Sequence, residues 1–92
     1  MPYMSSDDRE LDGLRGQIDR LDLELLNVLM ERMKIVDKIG EYKRKSKLDI
    51  SDEEREKDVL RGVVDRGRTR GLSGDMVRKI FESIIHHSKE RE

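Results

Sequence analysis

The stretch that decides the fold is residues 11–42, LDGLRGQIDRLDLELLNVLMERMKIVDKIGEY. Its apolar members Leu11, Leu14, Ile18, Leu21, Leu25, Val28, Ile35, Ile39 and Tyr42 recur at alternating intervals of three and four, with one gap at position 32. That spacing keeps every one of them on a single stripe of an α-helix. No proline interrupts the stretch, and Gly13, Gly16 and Gly40 each cost only about 1 kcal/mol in a helix interior. The pattern predicts one helix over about 7–44, with Ser5, Ser6, Asp7 and Asp8 supplying N-cap candidates and first-turn acids. Residues 1–6 are expected to be disordered, and Arg44–Ile50 reads as a polar loop.

Downstream, Ser51 and Glu54 form an S-x-x-E capping box with acids between them, the signature of a helix start. This second helix carries Val59, Leu60, Val63 and Val64 and runs out between Gly67 and Gly71. Ser73 is the next N-cap candidate, with Leu72 and Val77 placed as a hydrophobic staple around it. The third helix is expected to bury Met76, Val77, Ile80, Phe81, Ile84 and Ile85 on one stripe. No strand pattern, repeat or low-complexity segment is present, so the fold class is all-α: one domain over 1–92, three helices, the first very long.

The first helix demands a partner. About 38 residues at 1.5 Å each reach roughly 57 Å, whereas a compact monomer of this size is roughly 30 Å across. Two short helices cannot cover such a rod. A second copy can, so the expected state is an intertwined homodimer.

Composition narrows the function. Of 92 residues 45% are charged, yet 20 Lys and Arg nearly balance 21 Asp and Glu, leaving a net charge of -1. Nucleic acid and anionic membranes attract basic excess, and there is none. With 34% hydrophobic residues the chain is too polar to bury much core alone. The absence of cysteine removes disulfides and thiolate metal sites and suits a reducing compartment, the cytoplasm. The longest apolar run is Val28–Met30, too short to span a membrane. His86 and His87 are adjacent and face different directions, a poor metal pair, so no metal site is expected.

The gap at position 32 is filled by Arg32, where the stripe calls for an apolar residue. A cation there either forms a buried ion pair, snorkels to solvent, or binds an anion, because an unpaired buried charge is expensive. Lys43 lies eleven residues on, within about 20° of the same face and roughly 16 Å along the axis. The second helix opens with Asp52, Arg55 and Glu56 on one side, which reads as dipole compensation or as hydroxyl-reading groups. In the third, the stripe Val77, Phe81, Ile84 ends in Ser88, with Glu92 one turn later. Arg15 lies about 25 Å before Arg32, so a small ligand touches both only if Arg15 comes from an antiparallel partner chain. Together these anomalies describe a cationic, partly buried site built across a dimer interface and suited to a small dianion.

The ordered set Leu14-Arg15-x-x-Ile18-Asp19-x-x-Asp22, Leu25-Leu26, Glu31-Arg32, Ile39-Gly40-x-x-Lys43, Asp52-x-x-Arg55-Glu56 and Ile80-Phe81-x-x-Ile84-Ile85-x-x-Ser88 resembles the all-α class of chorismate mutase, over about 11–92. The resemblance implies an intertwined homodimer of three-helix chains and an isomerase that converts chorismate to prephenate in aromatic amino acid biosynthesis. That [3,3] rearrangement needs no nucleophile, metal or cofactor. By the resemblance, Arg15 of the partner chain and Arg32 clamp the two carboxylates, and Lys43 donates to the ether oxygen. Asp52 and Glu56 address the ring hydroxyl, Arg55 assists a carboxylate or orders the loop, and Ser88 hydrogen-bonds a carboxylate.

One position departs from the pattern. Bacterial members commonly carry Gln one turn past Ser88, donating to the ether oxygen; here the residue is Glu92, as in fungal members. A carboxylate repels the charge developing there unless it is protonated, so Glu92 is expected to act as a neutral donor. Two alternatives remain open: an isochorismate-pyruvate lyase of the same fold, and a non-catalytic helical dimerisation module.

Overall fold

The chain folds into α1 (Ser6–Ser46), α2 (Glu53–Thr69) and α3 (Gly74–Arg91), with no strand among the described residues. This computed structural model describes residues 6–92; Ser6, expected to be disordered together with residues 1–5, instead opens α1, while residues 1–5 and the capping role considered for Ser5 lie outside the described residues. Packing divides the chain into two units, one ending at Arg32 and one comprising Met33–Glu92.

Both interhelical connections use one device. At the end of α2, Gly71 adopts φ 84°, its N–H donates to the Arg68 carbonyl, and the Leu72 N–H donates to the Gly67 carbonyl. This Schellman motif returns two terminal carbonyls to hydrogen-bonded state. At the end of α1 the same pair of bonds runs from Lys47 to Arg44 and from Leu48 to Lys43, but the left-handed residue is Lys47, at φ 56°. The predicted stop at position 44 is therefore two residues early: nothing breaks the helix at Arg44, and only the left-handed turn at Lys47 closes it.

At the start of α2 the cap is Asp52 rather than Ser51, because its side-chain Oδ1 accepts the Arg55 N–H at 3.1 Å. The capping-box reading places the start one residue early. Ser73 caps α3 as predicted, its Oγ accepting the Met76 N–H at 3.2 Å.

In the first unit no described residue is buried, and Leu11, Leu14, Ile18, Leu21, Leu25 and Val28 are each 43–64% exposed. In the second unit Val36, Val64 and Val77 form the apolar core, one from each helix. Packing of α2 on α3 depends on Gly67, where a Cβ would lie 2.7 Å from Val77 Cγ2. The expected α3 stripe is narrower than its sequence: Val77 is buried and Phe81, Ile84 and Ile85 half-buried, whereas Met76 and Ile80 are exposed. They sit one residue before Val77 and Phe81, about 100° round the helix, and turn away from α2. Leu72 likewise stays exposed, so the staple expected with Val77 is open on one side.

Candidate active site at the last turn of the third helix

The polar residues of the second unit gather at the C-terminal turn of α3. Glu92 caps that helix, donating its N–H to the Ser88 carbonyl. The Glu92 side chain is 10% exposed and its Oε1 accepts a hydrogen bond from Lys43 Nζ at 2.7 Å, with the Lys43 side chain 18% exposed. Lys43 Nζ also donates to the Ile50 carbonyl at 2.8 Å. The left-handed turn at Lys47 makes this second bond possible, since it folds the linker back over the turn of α1 that it leaves. One lysine is thus held between the C-terminus of α3 and the α1–α2 linker.

The main chain of Glu92 also approaches α1 closely. A Cβ on Gly40 would lie 3.0 Å from Glu92 Cα and 3.1 Å from its main-chain oxygen. That oxygen accepts from Arg44 Nη1 at 2.8 Å. One residue earlier, Arg91 forms a two-point fork with Asp37, Nε to Oδ1 at 2.7 Å and Nη2 to Oδ2 at 3.0 Å. The hydrogen bonds from Arg91 hold the Asp37 carboxyl below the ordinary carboxylate range; desolvation opposes the shift, and the charges of Arg91 and Arg44 add to it.

Ser88, one turn before Glu92, is buried and its Oγ donates to the Ile84 carbonyl at 2.7 Å. The α3 stripe therefore does not run out into solvent at Ser88. The next residue, Lys89, pairs with Glu56 of α2 at 3.3 Å, both partly enclosed. Asp52, one turn before Glu56, is engaged as the cap of α2, and Arg55 is exposed.

Of the residues singled out from sequence, the structure therefore brings Lys43, Glu56, Ser88 and Glu92 to one turn of α3, with Asp52 one turn before Glu56 and Arg55 immediately before it. Arg15 and Arg32 belong to the first unit, Arg15 exposed and Arg32 half-buried. Sequence reasoning missed Lys89, Arg44, Arg91, Asp37 and the Ile50 carbonyl. Asp37 and Arg91 are 54 positions apart, a pairing that no local periodicity signals. Gly40 was the available clue, since a small residue inside a helix marks a site where another backbone comes close.

Comparison with known proteins gives this arrangement a context. Residues 14–92 match the family model for chorismate mutase type II. The chain is 44% identical over 83 residues, 88% of its length, to the bifunctional chorismate mutase/prephenate dehydratase of Aquifex aeolicus. It is 32% identical over 76 residues, 83% of its length, to the protein of the same name from Escherichia coli K12, and 31% identical over 83 residues, 90% of its length, to the T-protein of Enterobacter agglomerans. The chain spans about a fifth of the length of these curated relatives, which are covered to 21%, 20% and 22% respectively.

Proposed function

Because the chain belongs to the chorismate mutase type II family, we propose that it catalyses the rearrangement of chorismate to prephenate. Its relatives carry that activity in their names. The observation that supports the reading is the pairing of Lys43 with Glu92 at 2.7 Å, both largely enclosed, at the turn of α3 that also holds Ser88.

The reaction breaks one carbon–oxygen bond and forms one carbon–carbon bond within a single molecule, with no proton or electron exchanged with the protein. Its barrier falls if the substrate is held folded and if negative charge on the departing ether oxygen meets fixed donors. Lys43 supplies one such donor. Its ammonium is already oriented by the Ile50 carbonyl, so little reorganisation is required when charge develops. A proton on Glu92 turns its carboxyl from an acceptor of Lys43 into a second donor beside it. Arg32 and the partner subunit's Arg15 are assigned the substrate carboxylates, for which bidentate guanidinium forks are suited. Glu56, Asp52, Arg55 and Ser88 read the ring hydroxyl and carboxylate edges. Lys89 keeps Glu56 from lying unpaired beside a dianion.

The proposal includes a homodimer. The exposed stripe of α1 repeats at three and four residues, so an identical copy offers a matching stripe, and covering each half-exposed Leu or Ile gains on the order of 1 kcal/mol. A cytoplasmic location is part of the same reading; what the structure establishes is that no helix among the described residues is long and apolar enough to cross a membrane.

The test is loss of the chorismate diene absorbance, with the product identified by chromatography. Lys43→Ala should lower kcat on the order of 10²–10³-fold, the loss expected for one donor to a developing oxyanion. Prephenate must be the product from chorismate; pyruvate release from isochorismate would identify the lyase instead, and no turnover by a folded protein would leave a helical assembly module. Glu92→Ala should lower kcat while the protein stays folded, and parental kcat in that variant removes Glu92 from the mechanism.

A further inference from the structure

Glu92, whose carboxylate meets Lys43 within hydrogen-bond distance, sits at the last turn of α3. Three contacts from one face of α1 converge there. Asp37, Gly40 and Arg44 lie at intervals of three and four residues: Asp37 takes the Arg91 fork, Gly40 admits the Glu92 main chain, and Arg44 binds the Glu92 main-chain oxygen. Lys43, beside Arg44, takes the carboxylate.

We propose that the Asp37–Arg91 fork, together with Arg44 on the Glu92 main chain, is a positioning clamp that fixes the Glu92 carboxyl against Lys43. The inference rests on the catalytic reading of Glu92 given above and assigns roles to residues that touch no reacting atom. Exposed pairs elsewhere, such as Lys45 with Glu41 and Lys79 with Asp75, join residues of one helix at i and i+4, and so hold no two elements together. The Asp37–Arg91 pair joins α1 to α3, is bidentate, and lies immediately before the residue it serves. A planar guanidinium fork restricts direction as well as distance, so it fixes how the turn that carries Glu92 lies on α1. Both side chains are about half-exposed, at 47% and 53%, so the pair contributes orientation rather than core stability.

Three variants test the clamp: Asp37→Asn, Glu92→Ala and the two combined, each assayed for kcat and KM on chorismate. Misplacing a catalytic group by about 1 Å can cost up to about 10²-fold, so Asp37→Asn should lower kcat about tenfold with KM nearly unchanged. In the Glu92→Ala background the same change should cost nothing further, because the group it positions is gone. The charge-swapped double variant Asp37→Arg/Arg91→Asp should recover most of the activity that either change alone removes. Equal losses from Asp37→Asn in both backgrounds, or no loss in either, overturn the clamp while leaving Glu92's own role standing. Parental kcat in Glu92→Ala overturns the catalytic reading itself and the clamp with it.

Discussion

Up to Arg32, α1 shows the solvent a regular apolar stripe from Leu11 to Val28 with no buried residue, and from Met33 onward the same helix carries a second, covered stripe of Val36, Gly40 and Lys43. The exposed stripe is by far the more hydrophobic. Ile35, Ile39 and Tyr42 continue it into the second unit, still 43–65% exposed. Covering therefore follows what packs against a face rather than how apolar the face is. Where α3 lies on α1, the sequence supplies a small residue, Gly40, and a polar one, Lys43, and both meet Glu92. The apolar stripe is the surface that the proposed second copy would cover.

The largest expected effect breaks that contrast at its apolar end. If a second copy covers the stripe, Leu25→Glu places a charge inside the shared core at a cost of several kcal/mol. The expected outcome is loss of the dimer in sedimentation, together with loss of the cooperative helical melt. Parental sedimentation and melting would mean that the stripe is solvated, and the dimer would have to be given up. A smaller effect is expected inside the second unit, where Gly67 admits Val77. Gly67→Ala overpacks the α2–α3 contact and should cost about 1–3 kcal/mol, read as a lower urea midpoint at constant slope. At Gly13, by contrast, a Cβ would meet nothing within 4 Å, and Gly13→Ala should leave that midpoint level or raise it. A matching loss at Gly13 would show that the two regions are packed alike.

The acid limit of the clamp follows from the direction of one shift. The Asp37 carboxyl titrates lower in the folded chain than when unfolded, with hydrogen bonds from Arg91 as the main cause. A depressed carboxylate contributes stability above its unfolded value, about 3.9, and loses it as pH falls through the folded value. Between about pH 5 and 9 the clamp is thus fully charged. Any change in kcat across that range reports a group other than the clamp.

The helical periods were legible because 3–4 spacing needs no knowledge of partners: three helices, the order of their caps and the Gly71 stop all follow from local rules. Lys43, Ser88 and Glu92 were legible as polar residues at stripe positions. The Asp37–Arg91 fork and the Lys89–Glu56 pair were not, because each joins helices across a tertiary contact and looks, in sequence, like any other surface charge. The end of α1 was misplaced for a different reason. Sequence rules expect glycine at a left-handed stop, and this one is a lysine.

That lysine gives the smallest effect and the sharpest comparison. Lys47 at φ 56° and Gly71 at φ 84° close their helices with the same two hydrogen bonds. A side chain in the left-handed region costs about 1–2 kcal/mol, which glycine avoids, while glycine loses more backbone freedom on folding. Lys47→Gly should therefore raise stability by about 0.5–1 kcal/mol, and Gly71→Ala should lower it by a similar amount or more. Thermal midpoints should move in opposite directions, with kcat unchanged in Lys47→Gly because glycine keeps the left-handed turn and its main-chain bond to Arg44. A fall in midpoint for Lys47→Gly would show that the lysine is stabilised in its turn by more than the hydrogen bonds it shares with Gly71.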